Sequence, residues 1–359
     1  MDGTRTVRAL GTMSGTSLDG LDLCLAEFSA PHGAMANWKH RILRTETVPY
    51  SADWRRILSH SHLLPQHELW QLDVLYAKWM ATQVKRFLKR ETVDVIGSHG
   101  HTVHHRPDQG KTVQIGNGQT LADETGLPVI YDFRQPDVDL GGQGAPLVPI
   151  GDELLFGDYE VCLNLGGFMN ASWREEGLRR AGDIGPMNIG LNHIARLLDQ
   201  EYDAGGKLAR QGQLIPSLYD FWNGLSFFDE APPKSLGREF MDQYYLPYFS
   251  DHVPQDVLHT LTRHAALQLS RALADRPRKV LATGGGVYND FFRELVVDYG
   301  GPELVVPEAE VVEFKEALVF GFMAVLKQRG EVNVLSSVTG GREDHASGRE
   351  AHPPPTPKA

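Results

Sequence analysis

The feature that most constrains this chain is the stretch Met13-Ser14-Gly15-Thr16-Ser17-Leu18-Asp19-Gly20-Leu21-Asp22, set between two apolar runs. Val7-Arg8-Ala9-Leu10 precedes it, and the alternating run Leu21-Asp22-Leu23-Cys24-Leu25-Ala26 follows. Alternation at a period of two marks a strand rather than a helix. The order is therefore strand, tight polar turn, strand. Gly15 and Gly20 let the backbone approach a ligand, and successive N–H groups in such a turn form an anion-binding concavity. Ser14, Thr16 and Ser17 add hydroxyl donors. Asp19 and Asp22 are poor phosphate contacts but suit Mg²⁺, which keeps several waters and takes one or two carboxylates. An ordinary polar hairpin would carry the same glycines, because glycine punctuates loops generally. Two other loops are excluded. Gly110-Lys111-Thr112 has the tail of a P-loop, but His105 stands where its first glycine belongs. Gly15-Thr16-Ser17-Leu18 is followed by Asp19, so it is not a nucleophile elbow.

With 359 residues, the chain has material for about two domains with real cores. The net charge of -11, with no basic stripe to offset it, argues against nucleic acid as a partner. No apolar run approaches the roughly 20 residues of a membrane span, and the first residues lack a secretory h-region. Cys24 and Cys162, the only cysteines, lie in apolar strand-like segments. Buried free thiols in a reducing cytoplasm account for them.

Apolar residues at helical spacing predict a helix over 65–90, with Lys85, Arg86, Lys89 and Arg90 at its C-terminal end, where cations suit the dipole. A strand is expected at 93–97, a polar loop at 98–107, and further strands at 111–115 and 128–132. The glycine-rich run 141–146 reads as an interdomain crossing. The second half repeats the opening pattern: strand 160–165, glycine turn Gly166-Gly167, then a strand at 171–173. Asp183 is expected on a turn leading into a helix near 188–199. Helices near 256–275 and 290–299, strands at 279–283 and 304–306, and a last helix at about 314–329 follow. The resulting division is 1–140 plus the helix 314–340 for a first domain, 141–313 for a second, and a disordered, proline-rich tail at 341–359. Two similarly built halves imply a two-domain actin-like (ribonuclease H-like) α/β ATPase fold, with a nucleotide and sugar cleft between the domains.

Taken in order, the motifs resemble one family, 1,6-anhydro-N-acetylmuramic acid kinase. They are Met13 to Gly20; Ser98-His99-Gly100 with Thr102-Val103; Gln114 to Gly118; Asp132-Phe133-Arg134; Gly141 to Pro149; and Asn164-Leu165-Gly166-Gly167 with Asn170. They continue with Asp183-Ile184-Gly185-Pro186 and Asn188, Pro233-Lys234-Ser235 with Gly237-Arg238-Glu239, Gly284-Gly285-Gly286 with Tyr288-Asn289, and Ser337-Val338-Thr339-Gly340. The resemblance implies a cytoplasmic, homodimeric enzyme of peptidoglycan recycling that uses ATP and Mg²⁺. It would open the 1,6-anhydro bond with water, phosphorylate O6 and yield N-acetylmuramic acid 6-phosphate.

The resemblance also assigns roles. Asp183 is the base that activates water toward C1; an N-cap or Asx turn is its structural alternative. Gly15, Thr16, Ser17, Leu18, Asp19, Gly20, Leu21 and Asp22, with Gly166, Gly167 and Asn170, hold the phosphates. Asp19 and Asp22 hold Mg²⁺. Gly284, Gly285, Gly286 and Asn289 cradle the adenosine. The sugar contacts are His99, Thr102, Asn117, Arg134, Gln143 and Glu316, with Arg134 suited to the lactyl carboxylate. Glu316 would otherwise open the last helix, and Arg134 would otherwise form a structural ion pair with Asp132 or Asp137. His99, His101, His104 and His105 also raise a zinc site, because strand alternation would put His99 and His101 on one face. Met187 stands where the family pattern has glycine, and a side chain there would reshape the loop orienting Asp183. A kinase for another sugar and a non-catalytic nucleotide sensor are the alternatives.

Overall fold

The computed structural model describes residues 5–15, 17–30, 38–232, 234–277 and 279–355. They form two compact units, Met1–Phe156 with Phe314–Ala359, and Gly157–Glu313. In the first unit, β1 (Arg5–Ser14), β2 (Gly20–Ala30) and β3 (Lys39–Pro49) make an antiparallel meander. β4 (Val95–Arg106) lies parallel to β1 on its other side, and β5 (Lys111–Ile115) folds back antiparallel on β4. β6 (Val129–Tyr131) is parallel to β4, and the strand Arg349–Ala351 closes that edge antiparallel to β6.

The apolar pattern explains how this sheet is covered. Leu10, Leu21, Leu23 and Leu25 share one core cluster with Tyr76, Met80, Val84 and Phe87 of the helix Gln66–Leu88. Phe28 packs instead on the helix Ala309–Gln328, where its ring lies 5.3 Å from that of Phe322 between centroids. From Ala317 to Leu326 each non-glycine residue of that helix is almost fully buried. A helix apolar all round belongs inside a core.

The second unit repeats the plan. β7 (Val161–Leu165), β8 (Phe168–Glu175) and β9 (Leu178–Pro186) form an antiparallel meander. β10 (Lys279–Thr283) lies parallel to β7, and β11 (Glu303–Val305) parallel to β10. The helix Pro254–Ala272 packs Val257, Leu261, Ala265 and Leu269 against Leu163, Met169 and Ala171. Both units thus share one strand order: a three-stranded meander, then two strands parallel to its first. This is the duplicated actin-like α/β fold.

Several expectations change. The compact units divide at 156/157, and the segment 141–146 lies within the first unit. The polar loop expected at 98–107 is largely a continuation of β4 to Arg106. The last helix begins at Ala309, so Glu316 stands within it and does not open it. The tail is ordered as far as it is described. Arg349–Ala351 pairs with β6, and Ser347 Oγ donates to Phe133 O at 2.6 Å. Low apolar content hid this because backbone pairing and the buried Ser347 hold the segment, with little apolar surface beyond Ala351. No described helix is long and apolar enough to cross a membrane.

Candidate active site

The opening turn joins β1 to β2 as the sequence predicts. Leu18 N donates to Gly15 O at 3.4 Å, and Tyr50 N to Asp19 O at 3.3 Å. Leu18 takes φ 61, a left-handed conformation that a leucine rarely adopts. Such strain collects where function fixes the backbone. Thr16 lies outside the described residues. Ser17 and Asp19 are exposed, and the side-chain carboxylate of Asp19 has no protein partner among the described residues. A free carboxylate beside a glycine turn fits a hydrated Mg²⁺. Asp22 is more committed, since its Oδ1 accepts from Thr47 Oγ1 at 2.5 Å. Ser14 is buried, bonded to Tyr50 OH at 2.7 Å and His101 Nδ1 at 3.0 Å, so its hydroxyl serves the core.

The histidines of β4 do not share a face. Gly100, at φ +72, breaks the alternation. The His99 ring packs 4.6 Å from Phe320 on one side of the sheet, while His101 turns to Ser14 and Tyr76. Among the described residues no group of His, Cys, Asp or Glu could hold a metal ion in the manner of a zinc site. His99 instead pairs with Arg134, whose Nε donates to His99 Nε2 at 2.9 Å. A guanidinium can only donate, so the proton sits on His99 Nδ1, which donates to Gly100 O at 2.9 Å. Burial first, then the Arg134 charge, holds the His99 pKa well below its usual value and keeps the ring neutral. Burial likewise brings His101 down to about 4. Arg134 Nη1 donates to Gly144 O at 2.7 Å. Burial lowers the Arg134 pKa to about 10, and the Glu316 carboxylate opposes that loss of charge. The structural alternative, an ion pair with Asp132 or Asp137, does not form: Asp132 binds Arg349 at 3.0 Å, and Asp137 binds Gly144 N.

Of the other expected sugar contacts, Gln143 has an exposed side chain, while its N donates to Thr339 O at 2.8 Å. Thr102 Oγ1 accepts from Gln114 Nε2 at 3.4 Å. Asn117 is occupied structurally: its Oδ1 caps the helix Gly118–Thr125 through Thr120 N at 2.9 Å, and its Nδ2 donates to Asp73 at 3.0 Å.

In the second unit, Asp183 sits within β9 opposite Asn170, beside a register shift in β8. It does not cap the following helix, Asn188–Arg196, whose N-cap is Met187. Asp183 N donates to Lys234 O at 2.9 Å, and its Oδ2 accepts from Leu236 N at 2.7 Å. Burial pushes the carboxyl above the ordinary carboxylate range, while the bonds from Leu236 and Ser235 pull it back. It lines a cavity of about 200 Å³ with Trp173, Phe228, Lys234 and Gln268. The segment Lys234 to Leu236, which grips Asp183, was given no role by sequence reasoning. Its signal was the motif Pro233-Lys234-Ser235 with Gly237-Arg238-Glu239, to which no contact was assigned. Met187 is fully buried in this unit's core.

The remaining glycine turns differ in why they need glycine. Gly284 is at φ +83, and a Cβ there would lie 2.5 Å from Asn164 Oδ1. At Gly167 a Cβ would meet only Ile189, at 3.8 Å, leaving that backbone open to a ligand. Asn170 Nδ2 reaches Phe168 O at 3.5 Å, and Asn289 caps the helix Asp290–Asp298 through Phe292 N at 3.0 Å.

Residues 7–351 match the family model described as anhydro-N-acetylmuramic acid kinase. The chain belongs to that family. The kinase of this name from Synechococcus elongatus is 33% identical, over 93% of this chain and 96% of its own length. That from Paramagnetospirillum magneticum is 34% identical over 96% and 99%, and that from Bordetella pertussis 35% identical over 93% of each. Membership makes the chain a phosphotransferase.

Proposed function

We propose that this kinase takes 1,6-anhydro-N-acetylmuramic acid and ATP, adds water at C1, and phosphorylates O6. The observation that carries the reading is Asp183, a half-buried carboxyl in a cavity, held by Leu236 N and raised in pKa. Such a group is a competent general base once ionised. Asp183 takes a proton from water as the water oxygen bonds to C1. The C1–O6 bond breaks, its electron pair leaves on O6, and O6 bonds to the γ-phosphorus as ADP departs. Capture by phosphorus replaces the acid that a glycoside hydrolase would use on the leaving oxygen. Phosphoryl transfer needs mainly positioning and charge neutralisation. The turn Gly15 to Asp22 and the turn Gly166-Gly167 with Asn170 supply backbone donors, and Gly284 to Gly286 with Asn289 face the adenosine. Asp19, with Asp22 as second candidate, would hold Mg²⁺, which neutralises phosphate charge when bound. Arg134, locked to His99 and Gly144, offers its remaining donors to the lactyl carboxylate, with Thr102, Asn117, Gln143 and Glu316 around the sugar.

Purified protein with ATP, Mg²⁺ and the anhydro sugar should give a product heavier than substrate by phosphate plus water, read by mass spectrometry. Phosphate gain without water would make it an ordinary sugar kinase and overturn the hydrolytic step. The same reading includes a cytoplasmic homodimer, which sedimentation at micromolar concentration would test; a monomer there refutes it.

A further inference from the structure

We propose that Asp137 and Thr339 are positioning residues for Arg134 and His99, acting through the loop 141–144; this rests on the reading of Arg134 as a sugar contact. Asp137 is fully buried, and no lysine or arginine is within ion-pair distance of it among the described residues. The nearest basic atom is His345 Nε2, 4.0 Å from Oδ1. A buried carboxylate without a cation persists only where hydrogen bonds satisfy it. Here Oδ2 accepts from Gly144 N at 2.7 Å, and Oδ1 from Thr339 Oγ1 at 2.7 Å, across 202 residues of sequence.

The loop is gripped from both sides. Gln143 N donates to Thr339 O at 2.8 Å, and Gly142 N to Asp137 O at 2.9 Å. Gly144 then carries the geometry onward. Its N–H is fixed by Asp137, and its carbonyl accepts from Arg134 Nη1 at 2.7 Å. Arg134 Nε fixes His99, and His99 fixes its own turn at Gly100. One unbroken set of bonds runs from Thr339, near the C-terminal end, to the expected sugar contacts on β4. Two motifs separated by most of the chain thereby act as one device. Neither Asp137 nor Thr339 needs to touch substrate; both set where the guanidinium points.

The test compares Thr339→Val, which keeps shape but loses the donor, with Thr339→Ser, which keeps the donor. Asp137→Asn is secondary, since it risks misfolding. Loss of a bond to a buried charge predicts a rise of roughly tenfold in KM for the anhydro sugar in Thr339→Val, with KM for ATP unchanged. Thr339→Ser should stay near wild type in KM and in melting temperature, while Thr339→Val, which strands a buried acceptor, should melt lower. In an Arg134→Ala background, Thr339→Val should add nothing further. Equal effects on both substrates, or full additivity with Arg134→Ala, would overturn the inference. Histidine ring ¹⁵N NMR of the full chain reads the same geometry without turnover. The His99 signals should move in Thr339→Val while those of His101 stay, and unmoved His99 signals overturn the positioning. If Arg134→Ala leaves the sugar KM unchanged while the His99 signals respond, the sugar-contact reading fails and the positioning stands.

Discussion

At Asp183 one side chain serves two opposed demands. Folding places the carboxyl where ionisation is costly, and the proposed chemistry needs it ionised. Because burial raises its pKa, the acid limb of kcat/KM should fall above the ordinary carboxylate range, with activity rising as pH climbs through the raised value. A limb below about 4, the value of a free aspartate, would refute this. Asp183→Asn should reduce turnover by about 10²–10⁴-fold while ATP still binds, which equilibrium nucleotide titration would confirm. Near-normal turnover removes Asp183 from the mechanism. A raised folded-state pKa means that ionisation destabilises the fold. That stability is present below the unfolded pKa and lost as pH rises through the folded one. At neutral pH, Asp183→Asn should therefore melt no lower than wild type, since the amide oxygen can still accept from Leu236 N. A marked drop in melting temperature would contradict it. The position of Asp183 in a motif was legible in the sequence. Its place within β9 was not, because Gly182 and Gly185 around it signal a turn while the pairing with β8 overrides them. The pairing of His99 with Arg134 was equally hidden. Strand alternation fails at Gly100, and a positive φ at a single residue leaves no periodic trace.

Between elements, the tightest contact in the first unit is made by residues with no side chain. The helix Ala309–Gln328 lies so close to the sheet that a Cβ on Gly97 would come within 2.1 Å of Phe320 O, and one on Gly11 within 1.7 Å of Ala317 O. Neither atom belongs to a flexible side chain, so helix and strand must separate to admit a methyl group. Gly97→Ala should destabilise the first unit by at least ~1–3 kcal/mol, the usual scale of overpacking. Gly110→Ala is the control. Its φ is +68 and nothing lies within 4 Å of the new methyl, so only backbone strain of about 1 kcal/mol applies. Chemical denaturation of both variants checks the order; equal losses would show that the close approach does not govern stability. The existence of this helix was plain from its apolar run. Its start at Ala309 was not, because Glu308, Glu310 and Glu313 dilute the hydrophobic pattern over its first turns.

For the molecule as a whole, two sheets of the same strand order rest on separate cores, one around Val161 to Val312 and one around Leu10 to Ala351. The repeated glycine turn announced this duplication in the sequence, since both meanders begin with a strand and a ligand-sized turn. What composition concealed was how the first unit is closed. Its last strand comes from a segment rich in charge and proline, whose order depends on main-chain pairing with β6 and on three buried bonds. Ser347 Oγ donates to Phe133 O, Ser347 N to Asn333 Oδ1, and Asn333 Nδ2 to Ser347 O. Phe133 adjoins Arg134, so the segment bears on the proposed sugar contact as well as on the sheet edge. Truncation after Gly340 removes all of this. At about 1 kcal/mol for each buried bond, the first unit should lose roughly 3 kcal/mol, or about 10 °C in melting temperature. Hydrogen exchange locates the damage: protection should fall in β6 and around Phe133, while β7 to β9 keep theirs, because their core contains none of the removed residues. Unchanged protection in β6 would mean that the terminal strand is dispensable, and that the edge of this sheet is closed by its side chains alone.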